Sequence, residues 1–192
     1  MRLFYAAYLS RENMDAYQAL VESLIRRVPG TLRSVPHRTH HLTLGFLGEI
    51  EESDVERCSA AVDAIEGFGS FEYTLGTPSL LMGRGRPRLI RASVTAGGEQ
   101  IQDVQAALIS RLKGRLPSLE TRTKPPHGTI ARFTKGAHRA QARAVEVAIQ
   151  QIGDFALPER DHFEDVHLVS SSLTPSGPVY KTLRQVRLSG VV

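Results

Sequence analysis

Two short motifs carry the residue types best suited to chemistry in this sequence: His41-Leu42-Thr43 and His127-Gly128-Thr129. Side chains alternate across a β-strand, so the histidine and the threonine of each motif would share one face. An imidazole titrates near neutral pH and can give or take a proton. A hydroxyl can donate a hydrogen bond to a phosphate oxygen and so stabilise developing negative charge. The two motifs therefore predict acid–base chemistry on a phosphodiester, and their repetition carries more weight than either copy alone.

Arginine residues supply candidate ligands for phosphate. Arg132 lies five residues beyond His127, and strand alternation is expected to put it on the same face as that histidine and Thr129. Its guanidinium could bind a phosphate with two hydrogen bonds. Four further arginines form either a solvated loop and strand or a basic lip that attracts an RNA backbone: Arg84, Arg86, Arg88 and Arg91.

The elements that must position these residues occur twice along the chain. Hydrophobic periodicity predicts the order strand, helix, His-x-Thr strand, helix, strand in each half, and the two histidines are 86 residues apart, at positions 41 and 127. The predicted strands span residues 2–9, 41–47, 71–81, 89–95, 127–133, 163–171 and 179–188, and residues 83–88 form a loop. The predicted helices start after Ser10 and at a capping box in residues 53–56, and lie around residues 101–112 and 144–152.

This duplication predicts one catalytic domain over residues 1–192, built from two pseudo-symmetric lobes that face each other across a cleft. The lobes are expected at approximately 1–85 and 86–192, and an exchange of strands between them is left open.

Composition fits an ordinary globular protein with an anionic ligand. Charged residues make up 23% of the chain and the net charge is +4, a modest basic excess. Cys58 is the single cysteine, which excludes an intrachain disulfide, and we interpret it as a packing residue. The apolar start is too short to span a membrane and is better explained as a strand than as a signal peptide, so we expect a cytoplasmic protein. No cluster has metal-ligand spacing, and no dinucleotide-binding or Walker loop is found.

At its two motifs the sequence resembles the two-histidine (2H) phosphoesterase superfamily. Within it, the chain is most similar to the RNA 2′,3′-cyclic phosphodiesterases, also called 2′-5′ RNA ligases. The likeness covers nearly the whole chain, through residues 2–4, 41–49, 86–88, 126–132 and 172–180. It implies a bilobal LigT-like α/β (α+β) fold, with two mainly antiparallel sheets, helices outside and a central cleft lined by both motifs.

The resemblance also implies an activity. The expected reaction is hydrolysis of a 2′,3′-cyclic phosphate RNA end to a 2′-phosphate without a metal or other cofactor, with reversible 2′-5′ ligation as a second reaction. By the family pattern His41 and His127 are catalytic, and Thr43, Thr129 and Arg132 bind the phosphate. By the same analogy His127 is the base that activates water and His41 is the acid that protonates O3′.

The expected partner is an RNA with a cyclic phosphate end, such as a tRNA half, or a nucleotide, and the protein is expected to be a monomer. Tyr180 joins Arg84, Arg86 and Arg88 as a candidate RNA contact.

Two residues depart from the family pattern. Gly128 stands where the family has an apolar residue and should loosen its strand. Arg91 stands where an aromatic or apolar residue is expected. His40, beside His41, should point away from the cleft as a structural or exposed residue.

Other interpretations are a related enzyme for small substrates such as an ADP-ribose cyclic phosphate, an enzyme for 2′-5′ oligoadenylate, and a non-catalytic RNA-end binding module. A pure binding module has no need of two titratable imidazoles.

Overall fold

In this computed structural model, the described residues form ten strands and four α-helices. The structure describes residues 1–116, 119, 124–152, 160–174 and 177–190, so Pro175 and Ser176 of the C-terminal motif lie outside the described residues. The strands are β1 (Arg2–Tyr8), β2 (Leu32–Ser34), β3 (His41–Glu49), β4 (Phe71–Leu75), β5 (Ser79–Gly83), β6 (Arg86–Ala96), β7 (His127–Phe133), β8 (Arg160–Phe163), β9 (Asp165–Thr174) and β10 (Gly177–Arg187). The helices are α1 (Arg11–Arg27), α2 (Glu52–Val62), α3 (Gly98–Leu112) and α4 (Arg139–Ile152).

The strands form one curled antiparallel sheet in the order β10-β9-β1-β3-β7-β6-β4-β8, with β2 added to β7 and β5 added to β6. The predicted α/β class, with antiparallel strands and helices, is confirmed. The two expected sheets are continuous, because β3 pairs with β7 where Leu42 lies opposite Gly128. The His-x-Thr strands therefore occupy the centre of the sheet, side by side.

Strands from the two halves of the sequence are interleaved in this sheet. β9, near the end of the chain, pairs with β1 at the beginning. β4 and β5, from the expected first lobe (1–85), pair with β6 from the expected second lobe (86–192). On each side of the paired strands β3 and β7, the sheet therefore contains strands from both expected lobes.

The main core lies between one face of the sheet and the helices. Leu42 and Leu44 of β3 and Ile130 of β7 are buried there, together with Tyr17 of α1 and Leu108 of α3. The opposite face carries a much smaller buried cluster of Phe4, Ala6 and Val169. Alternation along β3 thus leaves its polar motif residues on the open face of the sheet.

Helix starts were predicted with mixed success. Ser10 caps α1 as expected, because its hydroxyl accepts a hydrogen bond of 3.2 Å from the backbone N–H of Asn13. The capping box predicted at residues 53–56 is wrong. α2 begins at Glu52, its N-cap is Glu51, and no side chain caps it, so Ser53 already lies inside the helix.

Two long strand predictions and one loop prediction were also wrong. The strand expected over residues 71–81 is two strands, since Pro78 lies between β4 and β5 and has no N–H for a sheet ladder. The strand expected from residue 163 is likewise divided at Glu164. The loop expected over residues 83–88 is a two-residue turn, where Arg84 and Gly85 both have positive φ values, 48° and 78°.

In the described part of the chain, no helix is both long and apolar enough to cross a membrane. Cys58 is fully buried on α2, in agreement with its interpretation as a packing residue.

Candidate active site

The pairing of β3 with β7 brings the two motifs together. Because Leu42 lies opposite Gly128, an antiparallel register places His41 across from Thr129 and Thr43 across from His127. Leu42 and Gly128 are buried, whereas each motif histidine and threonine is partly exposed. Two imidazoles and two hydroxyls therefore share the open face, related by a pseudo-two-fold axis through the Leu42–Gly128 pair.

Both imidazoles are anchored in the same way. Nδ1 of His41 lies 2.6 Å from the backbone oxygen of Thr39, and Nδ1 of His127 lies 3.1 Å from that of Pro125. A carbonyl oxygen can only accept, so each Nδ1 must donate and carry a proton. Each Nε2 is then the nitrogen free to exchange a proton with a substrate.

The His41 ring lies among aromatic side chains of the open face. Its centroid is 5.2 Å from that of Phe4, 5.7 Å from that of Tyr180 and 6.1 Å from that of Tyr8. Phe4 and Tyr8 come from β1, whereas Tyr180 comes from β10. These three rings limit both the access of water to the imidazole and its freedom to tilt.

The pKa of His41 is lowered to about 4, and burial is the largest cause. The hydrogen bond to Thr39 opposes this lowering, and electrostatic interactions with His40, Arg132 and His127 contribute to it. With a pKa of about 4, His41 is neutral by about a thousand to one at pH 7. In the free protein His41 can therefore accept a proton.

Arg132 reaches the open face through a β-bulge. An offset of five residues is odd, so the predicted alternation was wrong, since an unbroken strand would turn Arg132 to the face opposite His127. The register with β6 shifts, however: Arg91 pairs with Thr129, whereas Ile90 pairs with Ala131. One residue of β7 is left unpaired between them, and this extra residue reverses the alternation.

The guanidinium of Arg132 lies close enough to His41 and Tyr180 to affect both. Its charge lowers the pKa of His41. Burial raises the pKa of Tyr180, and Arg132 partly offsets that rise. Arg132 is exposed whereas Ile130 and Ala131, which precede it, are buried, so it can bind an anion at the surface of the cleft.

Arg91 is a second arginine on this face, which the sequence marked as a departure from the family and as one of four arginines of a possible basic lip. Directly paired residues of antiparallel strands point to the same side, so Arg91 accompanies Thr129 into the cleft. It is half-buried, and its buried Nε has no hydrogen-bond partner within the described residues. Only the register with β7 identifies it, because spacing along β6 does not say which face is open.

The basic hairpin is not brought into contact with the two motifs. Arg84, Arg86 and Arg88 are all exposed, at the turn between β5 and β6 and at the start of β6. Ser93 of β6 pairs with His127, and the five residues from Arg88 to Ser93 span about 17 Å of strand. The hairpin is therefore placed to meet groups well beyond a phosphate held at the histidines.

Residues next to the motifs are structural. His40 is buried as a structural residue, with Nδ1 donating to the backbone oxygen of Thr129 at 3.1 Å and its ring 5.8 Å from that of Tyr17. A Cβ on Gly128 would lie 3.6 Å from Leu9 and 3.8 Å from Tyr17, which is ordinary contact. The missing side chain at Gly128 therefore leaves little empty space.

Across the described residues, no group of three or more His, Cys, Asp and Glu side chains is arranged to hold a metal ion.

The sequence matches one family pattern and is similar to relatives that share one name. The sequence pattern of the family described as LigT-like phosphoesterase matches residues 10–90. A Thermus thermophilus protein named RNA 2′,3′-cyclic phosphodiesterase is 31% identical over 99% of this chain and 91% of its own length. A Thermotoga maritima protein of the same name is 27% identical over 99% of this chain and 97% of its own.

Solved structures share the fold. The crystal structure of TT0787 from Thermus thermophilus matches with a TM-score of 0.72 and 29% identity, covering 99% of both chains. Escherichia coli LigT complexed with ATP matches with a TM-score of 0.70 and 21% identity, covering 98% of both chains. At that identity, the second likeness concerns the fold alone.

Proposed function

The chain belongs to the RNA 2′,3′-cyclic phosphodiesterase family, and on that premise we propose that its cleft hydrolyses the 2′,3′-cyclic phosphate of an RNA end to a 2′-phosphate. The pairing of β3 with β7 is the observation that carries this proposal. It sets two imidazoles, each anchored at Nδ1, on one face with two threonine hydroxyls. Such a pair can accept a proton at one nitrogen and give one at the other within a single reaction.

The proposed reaction is an in-line displacement at phosphorus. Nε2 of His127 takes a proton from a water molecule, whose oxygen forms a bond to phosphorus. The bond from phosphorus to O3′ breaks, and Nε2 of His41 gives its proton to O3′, which leaves the phosphate on O2′. The hydroxyls of Thr43 and Thr129 and the guanidinium of Arg132 hold the non-bridging oxygens.

This assignment of roles requires that His41 be protonated when the substrate is bound. The free protein holds His41 neutral, because burial and the nearby Arg132 guanidinium lower its pKa. A cyclic phosphate carries a negative charge, and an opposite charge beside an imidazole favours its protonated form. We therefore propose that substrate binding raises the pKa of His41, so that its Nε2 takes up from solvent the proton that it later gives to O3′.

Ligation is the same chemistry with a different nucleophile. A 5′-hydroxyl of a second RNA takes the place of water, and its oxygen forms the new bond to phosphorus as O3′ leaves. The product is a 2′-5′ phosphodiester. No additional group is needed, since the two histidines again accept and give one proton each.

A direct test uses an RNA oligonucleotide with a 2′,3′-cyclic phosphate, incubated with the protein in EDTA. Identification of the product end is the measurement, and a 2′-phosphate is expected. His41→Ala and His127→Ala should each lower turnover by about 10²- to 10⁴-fold, the usual contribution of one proton transfer. His138→Ala is the matched control, because His138 is exposed and lies on the approach to α4, away from the β3–β7 junction.

Several outcomes would overturn parts of this proposal. A 3′-phosphate product would refute the choice of leaving group. Activity that is lost in EDTA and restored by a divalent ion would refute the metal-independent mechanism. If a cyclic mononucleotide is turned over far better than the oligonucleotide, the substrate is a small nucleotide and not RNA. Binding of the RNA end without turnover, unchanged in both alanine variants, would identify a binding module.

A further inference from the structure

A second set of hydrogen-bonded side chains lies beside His41, on β9 and β10. Nε2 of His167 is 3.0 Å from Oδ1 of Asp165, and Nδ1 of His167 is 3.5 Å from the hydroxyl of Thr182. Gln185 donates a hydrogen bond of 2.8 Å to the other oxygen of Asp165. His167, at the centre of this set, is only 8% exposed, whereas Thr182 and Gln185 are exposed.

The hydrogen bond between His167 and Asp165 has a fixed direction. Hydrogen bonding to His167 and Gln185 lowers the pKa of Asp165 against its burial, so the carboxylate is charged and can only accept. Nε2 of His167 must therefore donate to Asp165. Nδ1 of His167 shares a hydrogen bond with the hydroxyl of Thr182, whose direction depends on whether Nδ1 carries a proton.

Tyr8 is the last member of this chain of hydrogen bonds. The side chain of Thr182 hydrogen-bonds to the Tyr8 hydroxyl, which offsets part of the rise in the pKa of Tyr8 that burial causes. The Tyr8 ring also meets the His167 ring edge to face, with centroids 4.8 Å apart. Tyr8 is therefore held at both its hydroxyl and its ring.

The ring fixed in this way is a wall of the proposed active site. Tyr8 lies directly across from His41 in the β1–β3 pair, and the two rings meet edge to face with centroids 6.1 Å apart. The hydrogen bond from Nδ1 of His41 to Thr39 leaves the imidazole free to tilt about that bond. The Tyr8 ring limits this tilt on its own side of the imidazole.

We propose that Asp165, His167 and Thr182 are positioning residues, which fix Tyr8 against His41 and thereby keep Nε2 of His41 aligned for proton transfer. This inference rests on the proposed function of His41. It assigns these three side chains no contact with substrate. Their loss should lower kcat and leave KM unchanged, because misplacement of a catalytic group by about 1 Å can cost about 10²-fold in rate while substrate contacts persist.

The test compares variants that break the chain of hydrogen bonds at one point. Thr182→Val and Tyr8→Phe keep the side-chain shape and lose a hydroxyl, so each should lower kcat at least tenfold with KM within twofold of the wild type. The double variant should be no slower than either single variant, since both remove the same anchor. Thr182→Ser keeps the hydroxyl and should restore kcat. Thr77→Val, at an exposed position, is the matched control.

Kinetics can overturn the inference in three ways. A rise in KM with unchanged kcat would show that Tyr8 contacts substrate. Effects of Thr182→Val and Tyr8→Phe that multiply in the double variant would show that the two act separately. Wild-type kcat in both single variants would show that the anchor is not needed. Circular dichroism and thermal melting establish that each variant is folded before the rates are compared.

An NMR measurement decides the inference even if the protein does not hydrolyse cyclic phosphates. The Cε1–H resonance of His41 in the free protein is sensitive to the ring beside it. It should shift in Thr182→Val and stay in place in Thr182→Ser and Thr77→Val. An unchanged His41 resonance in folded Thr182→Val would refute the positioning role, whereas absent turnover with a shifted resonance would refute only the proposed reaction.

Discussion

Binding of a phosphate anion beside the two motifs is expected to raise the pKa of His41 and make the protein take up a proton. In the free protein His41 is partly buried among three aromatic rings and lies near the Arg132 guanidinium, and its pKa is lowered to about 4, mainly by burial. The anion reverses the electrostatic part of this environment without opening the ring to water. The proposed acid would thus acquire its proton when it is needed.

The size of the effect follows from the electrostatics of a site near the protein surface. Two unit charges about 4 Å apart interact by about 4 kcal/mol at an effective dielectric constant of about 20. One pKa unit corresponds to about 1.4 kcal/mol, so a single bound anion raises the imidazole pKa by about three units. Starting from about 4, the pKa of His41 in the complex should lie near neutrality, at about 7.

The assay is an NMR titration of the histidine Cε1–H resonances over the pH range about 3.5 to 8. It is recorded with and without saturating phosphate or a nucleoside 2′-monophosphate. His41→Gln assigns the resonance among the seven histidines of the chain. The exposed ring of His138, on the approach to α4, is the internal control, and its resonance should be the same in both samples at each pH.

Two results would refute the reasoning. A free-protein pKa near the ordinary value of about 6.5 would show that the aromatic walls do not desolvate His41. A pKa that stays near 4 with phosphate bound would mean that His41 cannot serve as the acid at neutral pH. The roles of His41 and His127 would then have to be exchanged.

Three further predictions concern single positions. Gly128→Ala should stabilise the protein by about 0.5–1 kcal/mol in thermal or denaturant unfolding, because the added Cβ makes ordinary contacts and the φ of Gly128 is not positive. A destabilised variant would show that the strand needs glycine there. Arg91→Met should raise KM for a cyclic-phosphate oligonucleotide about tenfold and leave kcat unchanged. This is the effect of losing one charge-assisted hydrogen bond of about 1.5 kcal/mol. An unchanged KM would show that Arg91 has no role in binding. Asp161→Ala should destabilise the protein by about 3 kcal/mol or more, since two backbone N–H groups and one tyrosine hydroxyl lose their acceptor, each at about 1–3 kcal/mol. Asp161→Asn keeps an acceptor oxygen and should lose less, and equal losses would contradict this account.

Local features of the site could be predicted from the sequence because they depend on near neighbours. Alternation in residues 41–43 and 127–129 places each histidine beside its threonine on one face, whatever the rest of the chain does. The strand over His127–Phe133 and the cap at Ser10 were likewise predicted correctly. Errors occurred where an interruption changes the local pattern, as at Pro78, where one predicted strand is two.

Pairing between distant strands decided the remaining features. Leu42 lies opposite Gly128, and this register alone sets the two motifs face to face. The bulge in β7 turns Arg132 into the cleft, against the alternation of a regular strand. No sequence pattern gives either feature, because register and bulges are set by the fit of one strand to another.

The sequence by itself determined which residues could do the chemistry, and the tertiary structure decided how they are held. Tyr8 and Thr182 are far apart in sequence and meet only because β1 and β10 both flank β9. The low pKa of His41 has the same origin, since Phe4 and Tyr180 bury its ring from different strands. Residue type and alternation are local properties, whereas desolvation and side-chain positioning exist only when distant parts of the chain have packed together.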